Sequence, residues 1–212
     1  MSDALADIWA KSAAEPGEAG ERLAVHTAWV LTRLSEWRTR LPTLGQYSRS
    51  DIWDLAAWAC LLHDVGKIAR GFQSMVRGGT RFGHRHEVLS LVAVGWLVIP
   101  EEQRALVAAG VATHHRDWPR IRESYGSADE RNVLMAEATP DAFADLRRWL
   151  LGEGAPSLSK LGFLALPALA ETPPADAMLS AMSAVDTLFR GMSDVGSTAV
   201  DRRALAARRC AR

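Results

Sequence analysis

The almost unbroken apolar run from Ile52 to Leu62 stops at His63-Asp64-Val65-Gly66-Lys67. An apolar stretch of that length without alternation predicts a helix buried on most sides. Ser50 is its expected N-cap, Asp51 and Asp54 suit its first turn, and the helix is expected to run to Val65 with Gly66 at C′. A buried helix ending in His-Asp carries an imidazole and a carboxylate into the interior together. That is costly unless a cation lies between them. Taken alone, the dipeptide fits a capped helix end with a surface His and Asp equally well, so the other histidines decide.

β-branched alternation is almost absent, and Ala, Leu, Arg and Glu dominate, which predicts an all-α fold. The 212 residues suffice for one domain with a substantial core. Equal numbers of acidic and basic side chains give a net charge of zero, so no bulk attraction to nucleic acid is implied. A site for a polyanion would need a local basic patch or metal ions. Cys60 and Cys210 form neither a metal-binding spacing nor a disulfide framework, which predicts a reducing, cytoplasmic setting. No apolar run approaches ~20 residues and no signal peptide is evident, so no membrane span is expected.

Along the chain, residues 1–17 are expected to form a short helix broken at Glu15-Pro16-Gly17. A second helix, Glu18 to Leu41, carries Leu23, Val30, Leu34 and Trp37 at helical spacing, with His26 among them. A loop follows from Pro42 to Arg49, and a basic, glycine-rich loop from Arg77 to Arg85. Helices are predicted from His86 to Val98 and from Pro100 to His114-His115, the second ended by Asp117-Trp118-Pro119. Signals weaken from Arg120 to Thr139. Thr139-Pro140-Asp141 then opens a helix to about Gly152, and Gly154 to Pro174 reads as a connector. The last helix, Asp176 to Met192, presents Leu179, Met182, Val185, Asp186 and Phe189 on its apolar face. Beyond Gly196 the tail is rich in Arg (Arg202, Arg203, Arg208, Arg209, Arg212).

The six histidines, His26, His63, His84, His86, His114 and His115, all precede residue 116 and fall in short motifs at helix ends or on apolar faces. Imidazole is the commonest nitrogen ligand for transition metals, and mixed His/carboxylate sets suit Mn, Fe, Ni or Zn. Consecutive side chains on a helix diverge by about 100°, so His114 and His115 can share a site only where the helix ends. Gly110, one turn earlier, allows close approach of a neighbour. Asp186 is the best further carboxylate, its alternative being an interior Asp paired with an Arg. Asp176 and Asp194 read as caps.

The ordered set His26, His63-Asp64, His86, His114-His115, Asp186 resembles the metal-site pattern of the HD superfamily of metal-dependent phosphohydrolases. The run Leu61-Leu62-His63-Asp64-Val65-Gly66-Lys67, followed by Gly71-Phe72-Gln73, is similar to the signature of the HD nuclease module of type I CRISPR systems. Arg85-His86-Glu87-Val88-Leu89-Ser90 and Ala112-Thr113-His114-His115 resemble two further motifs of that group. The resemblance implies an HD helical bundle around a dinuclear site in residues 1–195, with a variable insert at about 120–175 and a separate tail at 196–212. It implies that His26, His63, Asp64 and Asp186 hold one divalent ion (Mn, Ni, Fe, Co or Mg). Asp64, His86, His114 and His115 would hold the other, with Asp64 bridging and Lys67 reaching the scissile phosphate. The implied activity is endo- or exonucleolytic hydrolysis of single-stranded DNA, beside a helicase in cis or trans and a crRNA-guided surveillance complex. No Walker A sequence is present, so this chain has no helicase engine of its own.

Arg85 and Arg116 lie in basic stretches flanking the histidines and are candidates for substrate contact. Trp118 is placed either to stack on a base or to cap the core. The alternative activity is an HD phosphohydrolase of nucleotides or cyclic dinucleotides: a closed, base-reading cavity would favour it, an open groove DNA. A third reading is a metal-stabilised adaptor without activity, against which stands the complete set of ligand positions together with Lys67.

Overall fold

A computed structural model describes residues 5–15 and 17–192, with only the backbone of Tyr47. Eleven helices, α1 (Leu23–Arg40), α2 (Leu44–Tyr47), α3 (Ile52–Leu62), α4 (Arg70–Val76), α5 (His86–Trp96), α6 (Glu101–Thr113), α7 (Trp118–Tyr125), α8 (Ala128–Met135), α9 (Pro140–Trp149), α10 (Ala155–Lys160) and α11 (residues 177–192), account for most of the described chain. The all-α expectation holds, with one small exception. The segment expected as a first helix contains β1 (Trp9–Lys11), paired antiparallel with β2 (Glu21–Arg22). A cross-chain contact outweighs local propensity there: the Gln73 amide receives the N–H of Trp9 and donates to its carbonyl, continuing the ladder with a side chain. The Arg-rich tail at 196–212 and Cys210 lie outside the described residues.

The heart of the bundle is α3, α5 and α6, with α1 against α3. Helix α5 is apolar all round, and every residue from Glu87 to Trp96 is buried, so it is the central rod. Helix α1 buries Leu23, Thr27 and Leu31, which lie at four-residue steps, and exposes Trp37. Of the face predicted from Leu23, Val30, Leu34 and Trp37, Leu23 is buried and Leu34 packs at the edge of the core, whereas Trp37 turns outward. Between α3 and α6 the Cβ of Ala59 lies 3.2 Å from where a side chain on Gly110 would start, the close approach expected of that glycine.

Past Leu62 the chain does not continue as α-helix. His63 and Asp64 lead into a 3-10 turn, Val65–Ile68, packed on α5. Gly66 was expected to take a left-handed C′ conformation, but it is not among the residues with positive φ. Its role is proximity: a Cβ would fall 2.0 Å from the His86 carbonyl and 2.7 Å from the Ser90 nitrogen. Its own N–H donates to Ser90 Oγ at 2.8 Å, which itself donates to His86 O at 3.0 Å. That contact sets the His63-Asp64 pair against the first turn of α5.

Segments that looked weak in sequence are ordered by caps and small amphipathic faces. Asp117-Trp118-Pro119 opens α7 as well as closing off α6, and Trp118, Ile121 and Tyr125 face the core. Ser127 and Glu130 form a capping box that starts α8. Helix α9 ends at Trp149, and a π-turn, Leu150–Gly154, joins it to α10 inside the expected connector.

Candidate metal centre

Four helix termini converge on Asp64. His63 follows the last turn of α3, His114 follows α6, His86 begins α5, and His26 lies in the first turn of α1. Terminal carbonyls of a helix lack intrahelical partners, and two of these rings use one each. His63 Nδ1 bonds the Cys60 carbonyl at 2.8 Å, and His114 Nδ1 bonds the Val111 carbonyl at 2.7 Å. A carbonyl only accepts, so Nδ1 carries the proton in both rings and Nε2 keeps its lone pair when the ring is neutral. Glu21 Oε1 lies 3.2 Å from His26 Nδ1, and Glu87 Oε2 lies 3.6 Å from His86 Nδ1. All four rings thus turn Nδ1 towards an acceptor and Nε2 towards Asp64.

The two carboxylate oxygens of Asp64 divide these rings. Oδ2 lies 3.2 Å from His26 Nε2 and 3.1 Å from His63 Nε2; Oδ1 lies 3.0 Å from His86 Nε2 and 3.6 Å from His114 Nε2. Lys67 Nζ donates to Oδ2 at 2.7 Å and to the Ala10 carbonyl at 3.1 Å, and sits 5.5 Å from the Phe72 ring centre. Asp64 is 2% exposed. Burial pushes its carboxyl up, but the surrounding imidazoles of His114, His26, His63 and His86 outweigh this and hold it far below the usual carboxylate range.

Metal-ligating donors within 4.8 Å of one another form two groups, His26/His63/Asp64 and Asp64/His86/His114/His115. Asp64 Oδ1, His86 Nε2 and His114 Nε2 are buried without a well-formed hydrogen bond. Unprotonated Nε2 atoms facing a carboxylate repel it unless a proton or cation intervenes. Donors each about 2.1 Å from a shared ion stand roughly 3.0–3.4 Å apart, close to these separations. The residues therefore fit a cation on each side of Asp64. For His115, burial and then the nearby His114 and His86 lower the imidazole pKa below its ordinary value, which preserves its lone pair.

The two sides open differently. A cleft of about 710 Å³ reaches His86 and His115, and continues through His84, Arg85 and Arg116 into a second of about 720 Å³ flanked by Arg81 and Arg120. On the other side, behind His63 and His114, lies a hollow of about 440 Å³ walled by Val30, Ile52, Leu55 and Leu106.

Three expected site residues stand elsewhere. Asp186 belongs to neither donor group: its Oδ1 accepts from Trp118 Nε1 at 2.8 Å and pairs with Arg122 Nε at 3.2 Å. This is the interior Asp–Arg pairing that was its alternative. Trp118 is 4% exposed and lines neither cleft, so its ring caps the core and does not stack on a base. Lys67 is buried against Asp64, not extended into a cleft, and here its ammonium pairs with that carboxylate. Arg85 and Arg116 do line both clefts, whereas His84 packs on Phe82 and lines the cleft walls.

The Phe72-Gln73 pair also gains a role. Phe72 packs 5.3 Å from His86, and Gln73 clamps Trp9 while donating to the Lys67 carbonyl at 2.7 Å. Sequence reasoning missed Glu21 and Glu87 as partners of His26 and His86. Glu87 adjoins His86, but its burial is not visible in the sequence; Glu21 lies on a strand where the spacing predicts helix.

A family model described as "Cas3, HD domain" matches residues 9–185. No curated protein and no solved structure matches the chain.

Proposed function

The chain belongs to the Cas3 HD-domain family, whose membership carries a metal-dependent, nuclease-type hydrolase role in CRISPR systems; from that premise we propose that it hydrolyses phosphodiester bonds of single-stranded DNA during type I CRISPR interference. The observation that carries this reading is the division of the Asp64 oxygens between two sets of imidazoles, one set opening onto a basic cleft.

His26, His63 and Asp64 would hold one divalent cation, and Asp64, His86, His114 and His115 a second. Nitrogen-rich sets with one carboxylate suit Mn, Ni, Fe or Co, with Mg the least well matched. Bound there, such ions lower the pKa of water and offset charge on a phosphodiester. The chain's own contributions are separable from that chemistry. Lys67 donates to Asp64 Oδ2 and would hold that carboxylate in place between the two groups of donors. Arg85 and Arg116 hold strand phosphates along the cleft. Phe72 and Phe82 form an apolar wall of the cleft.

The open cleft favours a polymer over a free nucleotide, since it continues past the donor groups instead of closing over them. The hollow on the other side has the wrong chemistry for reading a base, being almost wholly apolar. A helicase, in cis or trans, and a crRNA-guided complex would deliver the strand, which suits a chain of zero net charge. Residues 1–195 would form this one domain, with the insert at about 120–175 supplying the cleft wall of α7 and α8. No helix among the described residues is long and apolar enough to cross a membrane.

Metal-supplemented turnover on circular single-stranded DNA, beside a panel of nucleotides and cyclic dinucleotides, tests the proposal. Cleavage of the circle, abolished by chelator and restored by Mn²⁺, is expected. Turnover of nucleotides alone would overturn it.

A further inference from the structure

Glu87 is 0% exposed, deeper than either Asp64 or Lys67. Neither of its oxygens has a well-formed hydrogen bond. Its nearest partners are the two residues just before it: Arg85 Nε at 3.0 Å from Oε1 and His86 Nδ1 at 3.6 Å from Oε2. His115 and Tyr125 also feel its charge, and Tyr125 Oη accepts the Arg85 backbone N–H at 2.7 Å, fixing the start of this turn.

A carboxylate taken wholly out of water with so little hydrogen bonding costs the fold stability. A glutamine of the same shape would cost less. What the position contains beyond shape is negative charge, placed between a residue of the substrate cleft and a residue of the metal centre. Arg85 lines both clefts, and His86 turns Nε2 to Asp64 Oδ1 at 3.0 Å. An imidazole whose far nitrogen faces a carboxylate is biased towards the tautomer protonated there and is a stronger metal ligand; Glu87 Oε2 faces His86 Nδ1 at 3.6 Å, just outside hydrogen-bond length.

Resting on the dinuclear reading above, we propose that Glu87 is a positioning residue with two attachments. Through His86 Nδ1 it orients the ligand and strengthens it for the cation on the open side of Asp64. Through Arg85 it sets the guanidinium at the mouth of the cleft, where a strand phosphate would lie. Glu21 performs only the first of these tasks for His26, on the other side of Asp64, and its second partner is the exposed Lys11.

The test is titration of metal-stripped protein with Mn²⁺ by calorimetry, with melting of the metal-free forms alongside. Wild type is expected to take up two equivalents. Glu87→Gln should retain one with unchanged affinity and bind the other about ten- to a hundredfold more weakly, while its metal-free form melts at the same temperature or higher. Glu87→Asp, which keeps the charge, should recover part of the lost affinity. A structural prop would behave in the opposite way, with a lower melting temperature and both equivalents weakened alike, and that result overturns the proposal. So does a Glu87→Gln isotherm identical to wild type. Should wild type itself bind no Mn²⁺, the metal-centre reading falls first and takes this inference with it.

Discussion

The two faces of the Asp64 carboxylate meet different surroundings. On the Oδ2 face, the β1–β2 hairpin contributes Glu21 to His26 and the Ala10 carbonyl to Lys67, and the side chains of His26, His63 and Lys67 are at most 14% exposed. On the Oδ1 face, His86 and His114 are also largely buried, but His115 is exposed, and a basic cleft leads away from it. Each half has one imidazole on a main-chain carbonyl (His63, His114) and one beside a carboxylate (His26, His86), so what separates them is access to the basic cleft. The difference suggests a division of labour in which the enclosed half anchors and the open half meets substrate.

Removing the shared element should break both halves at once. Asp64→Ala is expected to lose both equivalents of metal, by elemental analysis of protein purified without chelator, and to reduce single-strand cleavage by more than ~10³-fold. Retention of one full equivalent would show that the halves are independent and that Asp64 does not bridge them.

Single-histidine variants sharpen the comparison. His26→Ala should cost the enclosed equivalent and lower the melting temperature, because it strips a partner from Glu21 and from buried Asp64. His115→Ala, at an exposed position, should change stability by no more than about 0.5 kcal/mol while weakening only the open equivalent. Activity is expected to fall by roughly 10²-fold in each, in line with loss of one electrostatic contact at the reacting group. Equal losses of stability in the two would remove the distinction between enclosed and open halves.

Smaller effects are expected farther along the cleft. Arg116 makes no hydrogen bond or ion pair among the described residues and lines both clefts. Arg116→Ala should raise KM several-fold, leave kcat and metal content unchanged, and reduce the slope of log affinity against log salt by about 0.7 for a single strand. An unchanged salt slope would mean that the strand takes another route.

How far the sequence could foresee this follows from what each residue depends on. The helical bundle and the gathering of histidines around His63-Asp64 were legible because they rest on local patterns: an apolar run, and histidines beside helix-ending signals. Gly66 shows the boundary. It announced itself as a special position, yet only the packing of the turn on α5 reveals that it serves close approach and not a left-handed cap. The hairpin was missed because β1 is held by Gln73, sixty-four positions away from Trp9, and no local period encodes that contact. Glu21 and Glu87 were missed for the same reason: a carboxylate facing a buried histidine looks, in one dimension, like any other surface charge.

Asp186 is the point at which pattern and geometry part, and it carries the smallest expected effect. The sequence pattern assigns it to the enclosed half, where it would complete the ligands of His26 and His63. In the structure Oδ1 is taken by Trp118 and Arg122, so the carboxylate ties α11 to the start of α7 beneath the cleft wall. If that tie is its role, Asp186→Asn keeps one acceptor for the Trp118 N–H and loses only the charge facing a partly exposed Arg122. Stability should then fall by about 1 kcal/mol or less, with two equivalents of metal retained and cleavage within a few-fold of wild type. If Asp186 instead turns to the metal centre when ions bind, the same substitution should remove the enclosed equivalent as completely as His26→Ala does. Elemental analysis of the two variants side by side separates these outcomes, and loss of metal in Asp186→Asn would add a fourth protein ligand to the enclosed half and free Arg122 for the cleft.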